Sequence, residues 1–237
     1  MVEREEAELR PGTIAIDGPA ASGKTTVGEL LARRLGYLFL DTGVMYRAVT
    51  WAALRDDVDV RDQDRVTELA HELEIRIADS TQDDGRQYTV LVDGVDVTWH
   101  IRSPAVDTDV SIVAAYPGVR RALVPMQRRT ADEEPVVMVG RDIGTVVLPN
   151  ADLKIFLDAT VEERARRRWQ EMRDRGKEEV DYPTVLDSMR RRDRIDKSRD
   201  VSPLRPAWDA VAIDTTGLTV DEVVDEAHRL VEERSCL

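Results

Sequence analysis

Two kinds of apolar spacing alternate along this chain. Short unbroken runs come first: Thr13-Ile14-Ala15-Ile16-Asp17, Tyr37-Leu38-Phe39-Leu40, Val136-Val137-Met138-Val139, Leu153-Lys154-Ile155-Phe156-Leu157 and Ala210-Val211-Ala212-Ile213. Between them the apolar residues recur every three or four positions, as on one face of a helix. Val27, Leu30, Leu31 and Leu35 follow the first run, and Gly36 stands where a helix would close. Met45, Val49, Ala52 and Ala53 follow the second. Thr160-Val161-Glu162-Glu163 and Thr219-Val220-Asp221-Glu222 each have the spacing of a capping box ahead of a helix. Continuous apolar strands separated by helices predict an α/β fold with a five-stranded parallel sheet covered on both faces.

From about residue 73 to 98 the rhythm changes. Leu73-Glu74-Ile75-Arg76-Ile77 alternates apolar and polar, Tyr88-Thr89-Val90-Leu91-Val92 does so more loosely, and Val95-Asp96-Val97 follows. Asp84-Gly85 and Asp93-Gly94 sit between these runs, and Asp-Gly is a strong hairpin signal. A small antiparallel β subdomain inserted into the α/β core is expected. Residues 1–12 read as a disordered leader and 13–237 as one domain. Its core is 13–42, 130–160 and 185–237, with the inserted region at about 43–125 and a short lid at about 161–182.

At 237 residues the chain suits one large domain, or one carrying a subdomain. No apolar run approaches the ~20 residues that span a bilayer. The acidic start, Glu3 to Glu8, has no signal-peptide core, so a cytoplasmic address is expected, with no membrane partner. The single cysteine, Cys236, excludes an intrachain disulfide. The net charge of −13 argues against nucleic acid as partner. Of 34 cationic residues only four are lysines. Arginine suits bidentate phosphate recognition, although a base-composition bias toward its codons explains the excess as well. His71, His100 and His228 lack metal-ligand spacing.

The sharpest chemical signal is Gly18-Pro19-Ala20-Ala21-Ser22-Gly23-Lys24-Thr25, followed by Thr26. This is G-x-x-x-x-G-K-[ST], between a strand and a helix. The loop's backbone N–H groups cradle phosphates, Lys24 reaches the β/γ-phosphates, and the Thr25 hydroxyl ligates Mg²⁺. Asp17 either holds a water on that Mg²⁺ or simply ends the strand. A second phosphate site is needed for transfer between two anions. Arg47, on the helix after Asp41-Thr42-Gly43, and Arg141, at a strand end, can each hold an acceptor phosphate; an ion pair is the plainer role for Arg47. Asp142 has a plainer alternative as a helix N-cap. Arg164, Arg166, Arg167 and Arg168 follow Thr160, and Arg164 and Arg168 share a face. They read either as lid cations over the moving phosphoryl group or as a solvated face balanced by Glu162, Glu163 and Glu171. Glu178, Glu179 and Asp181 read as a short mobile loop beyond it.

Four segments together resemble the bacterial cytidylate kinases over about residues 13–232. They are Gly18–Thr26, Asp41-Thr42-Gly43-Val44-Met45-Tyr46-Arg47, Gly140-Arg141-Asp142-Ile143-Gly144-Thr145-Val146-Val147, and Arg192-Asp193-Arg194-Ile195-Asp196-Lys197-Ser198-Arg199. The resemblance implies ATP as donor, CMP and dCMP as acceptors, and Mg²⁺. It assigns Arg47, Arg141 and Arg192 to the acceptor's phosphate and sugar, and Asp196 to its ribose. Ser111, Arg120, Asp142 and Arg199 are assigned to the cytosine. Thr42 stands where the family often has serine and keeps the hydroxyl. A monomer is the default. Rival readings are a kinase for shikimate or dephospho-coenzyme A, and a nucleotide-dependent switch without turnover.

Overall fold

The computed structural model describes residues 11–80, 82–86, 88–174 and 180–235. Residues 1–10 of the expected leader, Glu178, Glu179 and Cys236 lie outside the described residues. The fold divides into two compact units.

The first unit takes the described parts of Met1–Asp41, Thr130–Ser198 and Ser202–Leu237. It contains β1 (Thr13–Asp17), α1 (Lys24–Leu35) and β2 (Leu38–Asp41) from the start of the chain. The second contains α2 (Gly43–Arg55), α3 (Gln63–Glu72), β3 (Ile75–Asp79), β4 (Tyr88–Val92), β5 (Val95–Asp96), α4 (Pro104–Val113) and most of α5 (Pro117–Glu133). The first unit resumes with β6 (Val136–Gly140), β7 (Leu153–Asp158), α6 (Val161–Asp174), α7 (Tyr182–Ser198), β8 (Val211–Asp214) and α8 (Val220–Ser235).

The five apolar runs form one parallel sheet in the order β2-β6-β1-β7-β8. β1 is central, with Asp17 opposite Gly140 on β6 and Phe156 on β7. All five residues of β6 are buried, as expected for a strand covered on both faces. Ile14, Ile16, Leu31, Leu153, Ile155 and Leu157 join the α8 residues Val223, Ala227 and Val231 in one core. Each large apolar side chain so buried contributes about 1.5–3 kcal/mol before entropy is counted. α1 packs on β6 and against α8, and α6 packs on α7. Strand order reverses beside β1. In open α/β sheets that reversal at the carboxyl edge is where ligands bind.

Strand limits differ from the apolar runs by a residue or two. Tyr37 belongs to the end of α1, where its N–H returns to the Ala32 carbonyl beyond Gly36 in the left-handed region at φ 70°. Leu73 caps α3 through the Leu69 carbonyl, so β3 starts at Ile75. The box at Thr219 is complete: Thr219 Oγ1 accepts from Glu222 N (3.3 Å) and Glu222 Oε2 accepts from Thr219 N (2.8 Å). At Thr160 only half forms. Its hydroxyl accepts from Glu163 N, but the Glu163 carboxylate goes to Arg166 and Arg167. Asp181 is a helix cap, accepting from Thr184 N at 2.9 Å, so the expected loop charge is the start of α7.

In the second unit, α2 buries Val44, Met45, Ala48, Val49, Ala52 and Ala53 and packs on α4. The antiparallel sheet runs β3-β4-β5. Its tight hairpin is Asp93-Gly94, both at positive φ (50° and 79°), the geometry of a type I′ turn.

Candidate active site

The phosphate loop leaves the end of β1. Gly18 has to be glycine: a Cβ there would meet the Leu157 carbonyl oxygen at 2.1 Å. Ala21 and Gly23 both adopt positive φ, which turns the loop into the start of α1. α1 receives no side-chain cap at Gly23, so its first N–H groups face the loop, where an anion is favoured. Lys24 is buried and its Nζ donates to the Pro19 carbonyl at 2.9 Å. Burial pushes its ammonium pKa down to about 7, and Arg141 adds to the push. Charge on Lys24 is therefore costly until an anion arrives.

Thr25 Oγ1 donates to Asp41 Oδ2 at 3.0 Å. A hydroxyl beside a carboxylate is a hard-oxygen donor set of the kind Mg²⁺ takes. Asp41 opens the Asp41-Thr42-Gly43 segment but was not among the expected metal ligands; the loop spacing alone does not reach it. Asp17 ends β1, one of its two expected readings, and its carboxylate is turned to the backbone. Its two carboxylate oxygens accept from the backbone N–H groups of Ile143 (2.7 Å) and Gly144 (2.8 Å). Burial raises its pKa to about 7 even against these two donors.

Arg141 and Asp142 follow β6 at the same edge of the sheet. Arg141 Nε lies 2.6 Å from Asp196 Oδ2, and Asp196 is buried. Asp196 shares a face of α7 with Arg192, Met189 and Val185, so the apolar half of that face becomes its charged half. Asp142 is buried and makes no side-chain cap on the π-helical turn Ile143–Val147 that follows it, although the cap was one expectation.

The arginines of α6 separate into two kinds. Arg164 is buried. Nε donates to the Ala159 carbonyl (2.9 Å), Nη1 to the Ala20 carbonyl (3.2 Å), and both terminal nitrogens to Asp193 (3.1 and 2.5 Å). It ties α6 and α7 to the phosphate loop. Asp193 was not singled out from sequence, because its partner sits 29 residues away. Arg166 and Arg167 pair with Glu163, and Arg168 with Glu171 at 3.0 Å. Arg167 also reaches Thr215, whose hydroxyl donates to the Ser22 carbonyl.

In the second unit, Thr42 is buried at the start of α2. Arg47 donates to the Ile101 carbonyl (3.0 Å) and pairs with Asp107 at 2.7 Å. Arg120 and Arg199, 79 positions apart in the chain, both turn a guanidinium nitrogen to the Ala114 carbonyl, at 3.2 and 3.5 Å. That carbonyl lies at the end of α4, one turn beyond the buried Ser111, where the helix dipole is negative. Arg120 also lies over the Tyr46 ring, 5.3 Å from its centroid. Among the described residues no group of three or more His, Cys, Asp or Glu forms a metal cluster. No described helix is long and apolar enough to cross a membrane.

The family model described as cytidylate kinase matches residues 14–233. The chain is 47% identical to the cytidylate kinase of Bacillus subtilis, over 94% of this chain and 97% of that one. It is 52% identical to the cytidylate kinase of Roseiflexus castenholzii over 90% of each chain. Identity to the cytidylate kinase of Desulfitobacterium hafniense is 49% over 93% of each.

Proposed function

This chain belongs to the cytidylate kinase family, and from that membership we infer the residue roles that follow. The enzyme uses ATP to phosphorylate CMP and dCMP, giving CDP and dCDP. An oxygen of the acceptor's phosphate attacks the γ-phosphorus of ATP, and the bond to the ADP oxygen breaks. The nucleophile is already an anion, so no general base is needed. Positioning and charge dispersal carry the catalysis.

The observation behind the donor assignment is the loop Gly18–Thr26 at the end of β1, with the buried ammonium of Lys24 inside it. An incoming polyphosphate supplies the negative charge that this ammonium lacks. Loop N–H groups hold the β- and γ-phosphates, and Lys24 follows charge onto the bridging oxygen. Thr25, with Asp41 beside it, is proposed to hold Mg²⁺, which when bound shields the phosphates. Asp17 keeps at most a water-mediated part in that site. Arg168 disperses charge on the transferring group, and Arg164 fixes the helix that carries it. Arg47, Arg141 and Arg192, with Thr42, are proposed for the acceptor's phosphate and sugar, and Asp196 for the ribose. Asp142, Ser111, Arg120 and Arg199 are proposed to read the cytosine. We take the enzyme to be a cytoplasmic monomer with no nucleic-acid or membrane partner.

An acceptor panel with ATP and Mg²⁺ tests the assignment. kcat/KM should rank CMP and dCMP far above UMP and AMP, with shikimate inert. A flat ranking across the nucleotides would remove the base-reading roles. Binding of nucleotide without turnover would favour the switch.

A further inference from the structure

We propose that Asp17 caps, from a different strand, the turn that follows β6, and so keeps the Asp142 carboxylate off that cap and directed at the acceptor. The inference deepens the proposed reading of Asp142 as a base-reading residue and rests on it.

Asp142 occupies the N-cap position of the turn Ile143–Val147. Its own carbonyl accepts from Val146 N (2.9 Å) and Val147 N (3.1 Å). Aspartate is among the best N-cap residues, and a capping side chain takes the N–H two or three positions on. Here those are Gly144 and Thr145. Yet Asp142 makes no such bond. The Gly144 N–H is taken by Asp17 Oδ2 at 2.8 Å and the Ile143 N–H by Oδ1 at 2.7 Å. Of the two donors that would draw Asp142 back onto its own turn, the Gly144 N–H is thus occupied from outside, and so is the Ile143 N–H beside it.

The outside group is well anchored. Asp17 ends the central strand, is 3% exposed, and is paired on both sides. The turn also has a floor. A Cβ on Gly144 would stand 3.1 Å from Lys154 Cδ and 3.5 Å from Asp17 Oδ2, so glycine lets the backbone sit directly on both. Lys154 is held in turn by the Pro149 carbonyl (2.6 Å) and by Asp209 (2.8 and 2.9 Å). Both carboxylate oxygens of Asp17 are spent on backbone donors of the turn. Asp17 is therefore a positioning residue, acting through Asp142.

The test is a double-mutant cycle of Asp17→Asn and Asp142→Ala, reading KM for CMP, KM for ATP and the CMP-over-UMP ratio of kcat/KM. Asparagine keeps the shape but sets an amide N–H against one of the two backbone donors. Asp17→Asn should shrink the CMP-over-UMP ratio by about tenfold, the scale of a misplaced hydrogen-bond partner, and leave KM for ATP within about twofold. In the Asp142→Ala background it should change the ratio by less than about twofold, because the residue it acts through is gone. An undiminished effect in that background overturns the proposal, as does an effect confined to ATP or to Mg²⁺ activation. If Asp142→Ala alone leaves the ratio unchanged, the reading of Asp142 falls and the proposal falls with it. Should Asp17→Asn not fold, the wild-type protein still decides. Amide exchange at Ile143 and Gly144 should be strongly protected, and exchange at the rate of exposed loop amides overturns the cap.

Discussion

The two sheets of this molecule treat charge in opposite ways. At the carboxyl edge of the parallel sheet the charged forms are disfavoured: burial pulls Lys24 down and pushes Asp17 up, both to about 7. On the antiparallel sheet the charged forms are favoured. The Thr98 hydroxyl and Arg86 hold Asp96 down to about 2, and Arg86 holds Asp84 well below the usual carboxylate range. Trp99 Nε1 donates to Asp84 as well. On the small sheet, where Val95 is 57% exposed, Arg86 pairs with both Asp84 and Asp96. Charge density alone therefore does not mark chemistry. Displaced ionisation inside the phosphate loop is the better marker, because an anion arriving at Lys24 would relieve it.

The sharpest way to break this contrast is at Asp142. If it accepts from the exocyclic amine of cytosine, UMP presents a carbonyl there and leaves the buried carboxylate facing a lone pair. Sites built on such a bond reject the wrong partner by up to ~10⁴-fold. Asp142→Ala should cut CMP turnover sharply and collapse the CMP-over-UMP ratio together. Equal losses on both nucleotides would shift base discrimination to Ser111 and Arg199.

α6 supplies the next test, because one helix holds both kinds of charge. Arg164→Ala strips Asp193 of its bidentate partner in a buried setting, and breaking such a pair costs about 3–5 kcal/mol. Arg168→Ala removes a half-exposed partner of Glu171 and should cost under ~1 kcal/mol. Urea unfolding of the two variants measures this. If Arg168 disperses charge on the moving group, its loss lowers kcat more than it raises KM for CMP. Unchanged kcat in Arg168→Ala would return that arginine to the solvated face.

Lys24→Met separates function from stability. Turnover should fall by about 10²-fold, the value of one lost charge contact in a dry site. The nucleotide-free variant should nonetheless melt higher than wild type. Lys24 has an ordinary pKa of 10.5 and about 7 in the folded chain. Below about pH 7 the folded state must carry the buried charge, so the penalty is fully present there. Between about 7 and 10.5 the unfolded chain binds the extra proton, and wild-type stability rises with pH. The melting gap should be widest near pH 6 and close toward pH 10. A variant that melts lower at pH 6 would show that the Pro19 contact outweighs burial.

These cases also show what was legible in the sequence. The five parallel strands were, because a strand covered on both faces is apolar without interruption. So was the hairpin, since Asp93-Gly94 is the local chemistry of its turn. The phosphate loop declares itself in eight residues. Pairings across long separations were not legible. Arg164 with Asp193, Arg120 and Arg199 on the Ala114 carbonyl, and Asp17 on two backbone N–H groups have no local signature. The last two involve main-chain atoms, which every residue possesses. Asp17 was legible as a strand end, but the donors it serves lie 126 and 127 positions away.

The smallest effect is expected on the other side of the contrast, at Gly94. Its φ of 79° is left-handed, and Asp93 before it is at 50°, so the two make a turn that L-residues other than Asn and Asp resist. Nothing lies within 4 Å of where a Cβ would stand, so Gly94→Ala meets strain but no clash. The cost should be about 1 kcal/mol, the price of an alanine in that region. For a chain of this length that is a fall in Tm of roughly 2–4 °C. kcat/KM for CMP should stay within about twofold of wild type, because Asp96 of the hairpin is already paired with Arg86 and Asp93 accepts from the Glu74 N–H. The two readings separate the possibilities. A large loss of activity with Tm preserved would place chemistry on the antiparallel sheet and end the contrast. A loss of Tm well beyond this range would mean that the turn fixes the register of β4 and β5 more strongly than its two residues imply, since a one-residue slip would turn Val90 and Val92 out of the core.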